Sequence, residues 1–357
     1  MTKRIILLTA LTLTLILSCV IQTQFVKAQP PSPIYIRADG SVDPATAPIQ
    51  IVGNVYKVTA NIYNTSLIVE RNNIVLDGQG FTLQGTGPLN NQEAINLTCT
   101  GVTVKNFHIN GWQAGVLGNF DNNKIANNDF TNNHFDIAIY ANNYQITQNY
   151  LSYVRIQGNN IDISQNEIRT RSYTAFWISS SSGIIIEAND ITFTSETTSF
   201  IGADNANIQV YHNNFLNPQD LQENKGQCLL LILPYVNATN FPWDNGYPSG
   251  GNYWNDYTLR FSVSEIDNSG GIGNTTYVSA TNHDVVDRYP LLSPYNVSVP
   301  IMPTPPPTQT PQPSPTQTPS APEFPTWTIL LLATSVLLLT VFLKKKITGK
   351  PTGTFGA

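Results

Sequence analysis

The sequence predicts an all-β fold, a parallel β-helix in which about seven to nine coils stack into a solenoid with a cap at each end. The first observation is an eight-residue phrase that recurs along the chain: apolar, any, apolar, any, any, Asn, any, apolar. The second is its spacing. Counted from Phe107, which takes the Asn position of an early repeat, the steps are 21, 21, 17, 23 and 24 residues. The third is the lack of an amphipathic helical period, since Val, Ile and Phe dominate the apolar positions.

Each phrase reads as two short strands joined by a bend. Apolar residues two apart place both side chains on one face of a strand. Asn tolerates left-handed backbone angles and bonds to neighbouring backbone groups, which suits a bend repeated in every coil. Stacking the coils brings the Asn amides together, so we expect a structural ladder of hydrogen-bonded side chains. Its predicted members are Asn128, Asn149, Asn166, Asn189 and Asn213.

A second apolar set lies seven residues before each phrase and predicts a further strand in every coil. Each coil therefore holds at least two strands, and three are favoured. A leucine-rich horseshoe would need a Leu-dense consensus, which this chain lacks. The residues of the second set are Ile95, Val116, Ile137, Val154, Trp177 and Ile201.

Residues 1–28 predict a secretory signal peptide. Two basic residues precede an apolar run from Ile5 to Ile21, and small residues of the kind a signal peptidase reads end at Ala28. We expect cleavage after Ala28. Cys19 lies in a sequence that loosely resembles a lipoprotein cleavage box, but the apolar run continues past it.

The mature chain then divides into a solenoid and its two ends. Short strand-like runs in residues 29–68 are expected to form an N-terminal cap, because an uncapped end would expose unpaired strand edges. The β-helix repeats occupy residues 69–235. Loops rich in Trp, Tyr and Gly at residues 236–298 are expected to form the C-terminal cap.

The end of the chain predicts a tether and a membrane anchor. Residues 299–326 are rich in Pro, Thr, Gln and Ser, a composition that stays extended as a stalk. The uncharged apolar run 327–343 would span about 26 Å as a helix, enough for one transmembrane crossing. Basic residues mark the cytoplasmic side, so 344–357 is a cytoplasmic basic tail. The predicted location is the cell surface, with an extracellular ectodomain anchored in the cytoplasmic membrane.

The motifs after the repeats resemble those of a known family. Gly250-Gly-Asn-Tyr-Trp-Asn-Asp-Tyr257, Gly271-Ile-Gly-Asn274 and Asp287-Arg-Tyr-Pro-Leu-Leu292 look like the NosD-type β-helix family, over the stretch from Ile34 to Pro294. The resemblance implies a right-handed, single-stranded parallel β-helix. That family is named for a periplasmic protein of copper processing and belongs to a wider set of carbohydrate-binding and sugar-hydrolase β-helices. The stalk and membrane tail resemble the layout of archaeal surface proteins.

The sequence predicts no metal site and no cofactor, with calcium left as an alternative. The resemblance implies an Asp-bearing Gly-rich loop, whereas this chain has Gly270-Gly-Ile-Gly-Asn274 with only Glu265 and Asp267 close by. A plain Gly-rich turn is therefore the favoured interpretation. Copper(I) prefers thioether and thiolate ligands, and the one Met of the mature ectodomain is Met302, in the stalk.

The positions directly after each Asn are expected to point to solvent and to stack from coil to coil. Neighbouring strands lie about 4.8 Å apart, so Glu167 and Asp190 would approach the ~5 Å separation of a retaining glycosidase pair. His108 over Asp129 would form an acid–base couple. These four residues are the candidate catalytic groups. The favoured alternative is a solvated polar face without catalysis.

Three function classes stay open. The formal charge of −5, with 11% charged residues, shows no basic stripe and argues against nucleic acid as a partner. The favoured class is a surface binding, adhesion or structural protein that recognises polysaccharides or cell-surface glycans through exposed Tyr, Trp and Asn. A polysaccharide lyase or glycoside hydrolase is the first alternative. A copper-processing accessory of the NosD type is the second.

Overall fold

A computed structural model gives the fold of the protein. It describes residues 32–170, 174–193, 199–216, 231–232, 241–261, 271–278, 285–298 and 301–304. The predicted signal peptide (1–28), transmembrane helix (327–343) and basic tail (344–357) lie outside the described residues, as does most of the stalk. The chain divides into two compact units, 1–306 and 307–357, and every described residue belongs to the first.

The described chain is a parallel β-solenoid of about seven turns with right-handed-like coiling. In chain order its strands are β1 (Ile34–Ile36), β2 (Val42–Asp43), β3 (Ile49–Val52), β4 (Val55–Val58), β5 (Ile62–Tyr63), β6 (Leu67–Val69), β7 (Val75–Asp77), β8 (Thr82–Gln84), β9 (Glu93–Leu97), β10 (Thr103–Lys105), β11 (His108–Asn110), β12 (Ala114–Gly118), β13 (Lys124–Ala126), β14 (Asp129–Thr131), β15 (Phe135–Ile139), β16 (Tyr144–Thr147), β17 (Tyr150–Leu151), β18 (Val154–Ile156), β19 (Ile161–Ser164), β20 (Glu167–Thr170), β21 (Thr174–Glu187), β22 (Asp190–Phe193), β23 (Ser199–Tyr211), β24 (Asn214–Leu216), β25 (Leu231–Ile232), β26 (Tyr253–Trp254), β27 (Tyr277–Val278) and β28 (Val286–Asp287). A short helix, α1 (Tyr257–Arg260), follows β26. Within the described ranges, no helix has the length and apolarity needed for a membrane crossing.

Each coil contributes one strand to each of three stacks. The first stack precedes the Asn bend and holds β4, β7, β10, β13, β16, β19 and the second halves of β21 and β23. The second stack follows the bend and is the nine-stranded sheet β5, β8, β11, β14, β17, β20, β22, β24 and β26. The third stack holds β1, β6, β9, β12, β15, β18, the first halves of β21 and β23, and β25. Because β21 and β23 run through two stacks without a break, the first and third stacks, together with β2 and β3, form one 17-stranded sheet.

The core consists of columns of inward side chains that stay in register from coil to coil. In the first stack Ile125, Ile146, Ile163, Ile186 and Val210 pair in succession, and all five are fully buried. β-branched side chains suit this pleated surface. Burying each one stabilises the fold by roughly 1.5–3 kcal/mol before entropy is counted. The repeated Ile and Val positions therefore account for the solenoid shape.

One predicted inward residue of the third stack is wrong. Phe176, rather than Trp177, pairs with the inward residues of the neighbouring coils. Phe176 is fully buried, whereas Trp177 is only partly buried and lies on the outer face. The seven-residue spacing fails here because β21 carries a register shift between Ser181 and Ile184, which places one more residue before the phrase.

The left-handed backbone angle of each bend lies one residue before the position that the sequence predicts. The residue ahead of each ladder Asn has a φ between 52° and 57°. The ladder Asn instead turns its side chain inward, where its Nδ2 bonds to the carbonyl two residues earlier, as Asn166 does to Ser164 at 3.0 Å. The left-handed positions are Asn127, Gln148, Gln165, Ala188 and His212.

Antiparallel pairs close the N-terminal end of the solenoid. β2 pairs with β1, and β3 pairs with β4. Parallel pairing already begins with β4, β5 and β6, which pair with β7, β8 and β9. The strands β4 and β5 and the start of β6 therefore lie inside the range 29–68, together with the hairpins that cap the solenoid.

Aromatic rings close the C-terminal end. The ring of Phe215 stacks on Trp254, and Trp254 stacks on Tyr277, with both pairs of centroids 4.2 Å apart and 7° from parallel. All three side chains are at most 1% exposed. Wide, flat rings cover the open end of the core, which smaller side chains would leave exposed to water.

Candidate functional site

The Asn ladder lies inside the solenoid, at the bend between the first and second stacks. Each Nδ2 donates to the Oδ1 of the Asn in the next coil, and each Oδ1 also accepts the backbone N–H of the Asn before it. The Nδ2–Oδ1 distances are 3.0 Å from Asn128 to Asn149, 3.1 Å from Asn149 to Asn166, and 2.9 Å from Asn166 to Asn189 and from Asn189 to Asn213. All five side chains are completely buried. The polar atoms of the ladder are therefore paired with one another and with the backbone, out of reach of solvent.

The ladder continues beyond Asn213 and ends on a buried carboxylate. Asn213 Nδ2 donates to Asn252 Oδ1 at 3.0 Å, and the backbone N–H of Asn252 donates to Asp287 Oδ2 at 2.7 Å. Trp254 Nε1 donates to the same oxygen at 2.9 Å, and the Tyr289 backbone N–H donates to Oδ1 at 3.0 Å. Burial raises the pKa of Asp287 to about 7, although these three N–H groups act in the opposite direction.

The sequence did not lead us to predict Asn252 or Asp287, the last two members of the ladder. The run 252–254, Asn-Tyr-Trp, matches the last three positions of the phrase, so it carried a usable signal for Asn252. Asp287 had no such signal, because it lies 35 residues further along the chain and outside every repeat.

The candidate catalytic side chains lie in one column on the outer face of the second stack. In register order the column is His108, Asp129, Tyr150, Glu167, Asp190 and Asn214. His108 Nδ1 lies 2.9 Å from Asp129 Oδ2, and the two side chains are 34% and 30% exposed. The structure therefore brings this acid–base couple together at the surface.

Glu167 and Asp190 are in register on neighbouring strands, but each carboxylate has another partner. Glu167 forms an ion pair with Arg169. Asp190 Oδ1 accepts a hydrogen bond from Asn214 Nδ2 at 2.6 Å. The described contacts therefore hold each carboxylate against another side chain, Arg169 or Asn214, and show no hydrogen bond between the two.

A C-terminal strap (294–298 and 301–304) crosses the outside of the solenoid and changes the environment of Asn214. Asn214 was expected at the solvent face but is 3% exposed. Its Nδ2 donates to the carbonyl of Tyr295 at 2.9 Å, and its Oδ1 accepts the Tyr295 backbone N–H at 2.7 Å. Further along the strap, Asn127 Nδ2 donates to the carbonyl of Ile301 at 2.9 Å. The strap therefore runs back along the bend from the last coils towards the early ones.

A groove of about 540 Å³ opens beside the column, at the turn from the second to the third stack. Its walls combine aromatic and aliphatic side chains with amides and hydroxyls. The lining residues are Pro88, Leu89, Phe130, Thr131, Asn132, Asn133, His134, Asp136, Ser152, Tyr153 and Thr174. The Tyr153 ring packs on Phe135 at 4.9 Å and meets His134 edge-on at 6.3 Å. Sites for small ligands have this volume and this mixed lining.

Asp136 holds the groove in shape. It is 2% exposed, and its Oδ2 accepts the backbone N–H groups of Ser152 at 2.6 Å and Tyr153 at 3.1 Å. Asn133 Nδ2 donates to Oδ1 at 3.1 Å. A buried carboxylate bonded to two successive amides sets the turn that carries Tyr153, so the groove is preformed. Asp136 lies outside the phrase, which is why the repeat gave no reason to choose it.

A smaller depression of about 70 Å³ adjoins the groove and contains two of the candidate carboxylates. It is lined by Asp129, Phe130, Thr131, Tyr150, Leu151, Ser152, Glu167 and Arg169. Asp129 and Glu167 are two strands apart, with Tyr150 between them, which is about 9–10 Å along the stack. Inverting glycosidases place their two carboxyl groups about 6.5–9.5 Å apart. Asp190 does not line the depression.

The described residues contain no group of three or more His, Cys, Asp or Glu side chains that could hold a metal ion. Of the Gly-rich loop, Gly271 to Asn274 are described, whereas Glu265 and Asp267 lie outside the described ranges. Cys99 is buried and donates its thiol to the Arg71 carbonyl at 3.1 Å. Burial raises the pKa of this thiol to about 11, which keeps it protonated and unreactive.

Comparison with known proteins assigns no family to the chain. No family model, no curated protein and no solved structure matches it. The fold itself is consistent with the β-helix superfamily.

Proposed function

We propose that this protein is a surface glycan-binding protein, and that the groove receives sugar units of a polysaccharide or a cell-surface glycan. The observation that carries the proposal is the groove of about 540 Å³, whose lining combines aromatic, amide and hydroxyl groups. A sugar ring has an apolar face and a rim of hydroxyls. Aromatic faces suit the first, and the Asn, Ser and Thr side chains of the groove suit the second.

The stacked coils favour a polymer over a single sugar. Neighbouring strands repeat at about 4.8 Å, so similar turns recur along the axis of the solenoid. Ser152 and Thr174 come from successive coils and line the same groove. A chain of linked sugars lying along the axis would meet a comparable set of groups at each step.

The location is part of the proposal. Residues 1–28 would export the chain. The stalk at 299–326, apart from the strap residues 301–304, would separate the solenoid from the membrane. The apolar run 327–343 would anchor it, with the tail 344–357 in the cytoplasm. The sequence motifs after the repeats support a right-handed β-helix of the NosD type. The net charge of −5 supports a partner other than nucleic acid.

A second candidate function is polysaccharide cleavage by a lyase or a hydrolase. The observation that favours it is the depression beside the groove, where Asp129 pairs with His108 and faces Glu167 across Tyr150. A polymer bound in the groove would pass this depression. Copper processing would need clustered His or Met side chains, and no geometry in the described part of the chain favours it.

The test uses the full-length protein in detergent, screened against a panel of polysaccharides for binding and for release of oligosaccharides. Tyr153→Ala removes an aromatic wall of the groove, and we expect affinity to fall about tenfold or more. Tyr63→Ala is the matched control, because Tyr63 is 61% exposed on the first coil and does not line the groove. Equal affinity in both variants would refute the groove as the binding site. Cleavage that Asp129→Asn abolishes would establish the enzyme instead.

A further inference from the structure

Arg155 is a cation surrounded by aromatic rings. Its guanidinium carbon lies 5.8 Å from the ring centroid of Phe135 and 5.5 Å from that of Tyr140. Its Nε is buried and has no hydrogen-bond partner. On the outer face of the third stack, its neighbour in the next coil is Trp177. The rings hold the guanidinium by cation–π attraction but satisfy none of its in-plane N–H donors.

The other arginines that the structure describes all have polar partners. Arg37, Arg169 and Arg288 each form an ion pair with a carboxylate. Arg260 lies 3.7 Å from a carboxylate oxygen of Asp256, and Arg71 donates to the hydroxyl of Tyr56 at 2.9 Å. Among the described residues, Arg155 alone combines a held guanidinium with neither an ion pair nor a hydrogen bond.

Arg155 lies beside the groove. Tyr153 lines the groove, and Arg155 follows it by two residues, so both side chains project from the same outer face. Burial raises the pKa of Tyr153, and the positive charge of Arg155 lies close enough to lower it in part. Phe135 touches both residues, since its ring lies 4.9 Å from the Tyr153 ring. A ligand that stacks on Tyr153 would therefore bring its substituents within reach of the guanidinium.

We propose that Arg155 makes the groove selective for acidic glycans, with its guanidinium receiving a carboxylate or sulfate group of a bound sugar unit. The inference rests on the proposed glycan-binding function and adds the ligand class of the same site. A guanidinium is weakly hydrated and offers its donors as a planar fork, which matches an anionic group with two oxygens. Because the guanidinium already lies between rings, it has little bound water left to lose, so pairing with an anion carries a small desolvation penalty.

The experiment compares matched pairs of polymers on the full-length protein in detergent. Polygalacturonate is compared with its methyl-esterified form, and dextran sulfate with dextran, so that only the acidic group differs within a pair. We expect the wild type to bind the acidic member of at least one pair about tenfold or more tightly. The pair that shows the preference identifies the group as carboxylate or sulfate.

Three variants assign the preference to Arg155. Arg155→Gln should abolish it while keeping the affinity for the neutral polymer. Arg155→Lys keeps the charge but not the planar fork, so most of the preference should be lost. Arg37→Gln is the control: it removes one positive charge from another arginine that lies over a ring, at 3.8 Å from Tyr35, far from the groove. Melting curves of all variants check the fold, and Arg155→Lys carries the test if Arg155→Gln does not fold.

The outcomes distinguish a failure of the inference about Arg155 from a failure of the proposed glycan-binding function. Equal binding of the acidic and neutral members by the wild type overturns the inference and leaves glycan binding standing. A preference that survives in Arg155→Gln, or in Arg155→Lys at full strength, assigns it to another group and also overturns the inference. Failure to bind all four polymers and every member of the wider panel overturns both.

Discussion

Removing one rung of the Asn ladder should destabilise the solenoid far more than removing an exposed Asn of the same coil. Asn166 Nδ2 donates to the Ile146 carbonyl at 2.8 Å and to Asn189 Oδ1 at 2.9 Å, and its Oδ1 accepts the Asn149 backbone N–H at 2.9 Å. In Asn166→Ala all three of these hydrogen bonds are lost, although Asn189 Oδ1 keeps the backbone N–H of residue 166. Leaving a buried donor or acceptor unpaired costs about 1–3 kcal/mol.

At least two buried groups lose a hydrogen-bond partner in this variant, the Ile146 carbonyl and the Asn149 backbone N–H. We therefore expect the free energy of unfolding to fall by about 3 kcal/mol, and the melting temperature by about 6–12 °C for a domain of this size. Asn159→Ala is the matched control. Its side chain also bonds up and down its stack, to Asn142 and Ser182, but it is exposed, so water can replace the lost partners.

The measurement is thermal and urea unfolding of the full-length protein and the two variants, followed by circular dichroism. The control should change the free energy of unfolding by less than about 1 kcal/mol. The reasoning would be refuted if Asn166→Ala lowered the free energy of unfolding no more than Asn159→Ala does. That result would mean that losing a buried hydrogen bond of the ladder destabilises the fold no more than losing an exposed one.

Three further predictions concern the C-terminal end of the solenoid. Burial raises the pKa of Asp287 to about 7, well above its unfolded value, so its contribution to stability is fully present below about pH 4 and is lost as the pH rises through 7. The melting temperature of the wild type should therefore fall relative to that of Asp287→Asn between pH 5 and 8. A difference in melting temperature that stays constant over this range would contradict the prediction. A Cβ at Gly251 would lie 1.9 Å from Asp287 Oδ1, so Gly251→Ala should cost about 1–3 kcal/mol or more in urea unfolding, and a neutral effect would show that the cap can relax. Tyr295 anchors the strap by stacking its ring on His212, with the centroids 4.5 Å apart. Tyr295→Ala should therefore speed proteolytic cutting of the strap without lowering the melting temperature of the solenoid by more than about 2 °C. An unchanged rate of cutting would show that the backbone bonds to Asn214 are enough to hold the strap in place.

The sequence repeat predicts the solenoid because a repeat position meets the same surroundings in every coil. Ile146 and Ile163 are in register and equally buried, so one pattern of residues describes both. The pattern is less reliable where a coil departs from its period. The extra residue in β21 moved the inward position from Trp177 to Phe176, and Gly183, which lies at the register shift with a φ of 68°, is the residue that could have indicated it.

The candidate site could be foreseen only in part. The register rule places His108 over Asp129 and Glu167 beside Asp190. It says nothing about which neighbour satisfies each carboxylate, because that depends on side-chain reach within and between strands. Glu167 pairs with Arg169 along its own strand, a choice that spacing between coils cannot reveal.

By itself, the sequence determined the class of fold, most of the inward columns and the order of the Asn residues at the bend. All of these depend on contacts between neighbouring coils that recur from one coil to the next. The tertiary structure decided where the ladder ends, where the groove opens and how the strap runs. Asp287 meets Asn252 across 35 residues, Tyr295 meets Asn214 across 81, and Ile301 meets Asn127 across 174. Each of these contacts occurs once, so no periodic signal announces it. Only the tertiary fold brings these partners within hydrogen-bond distance.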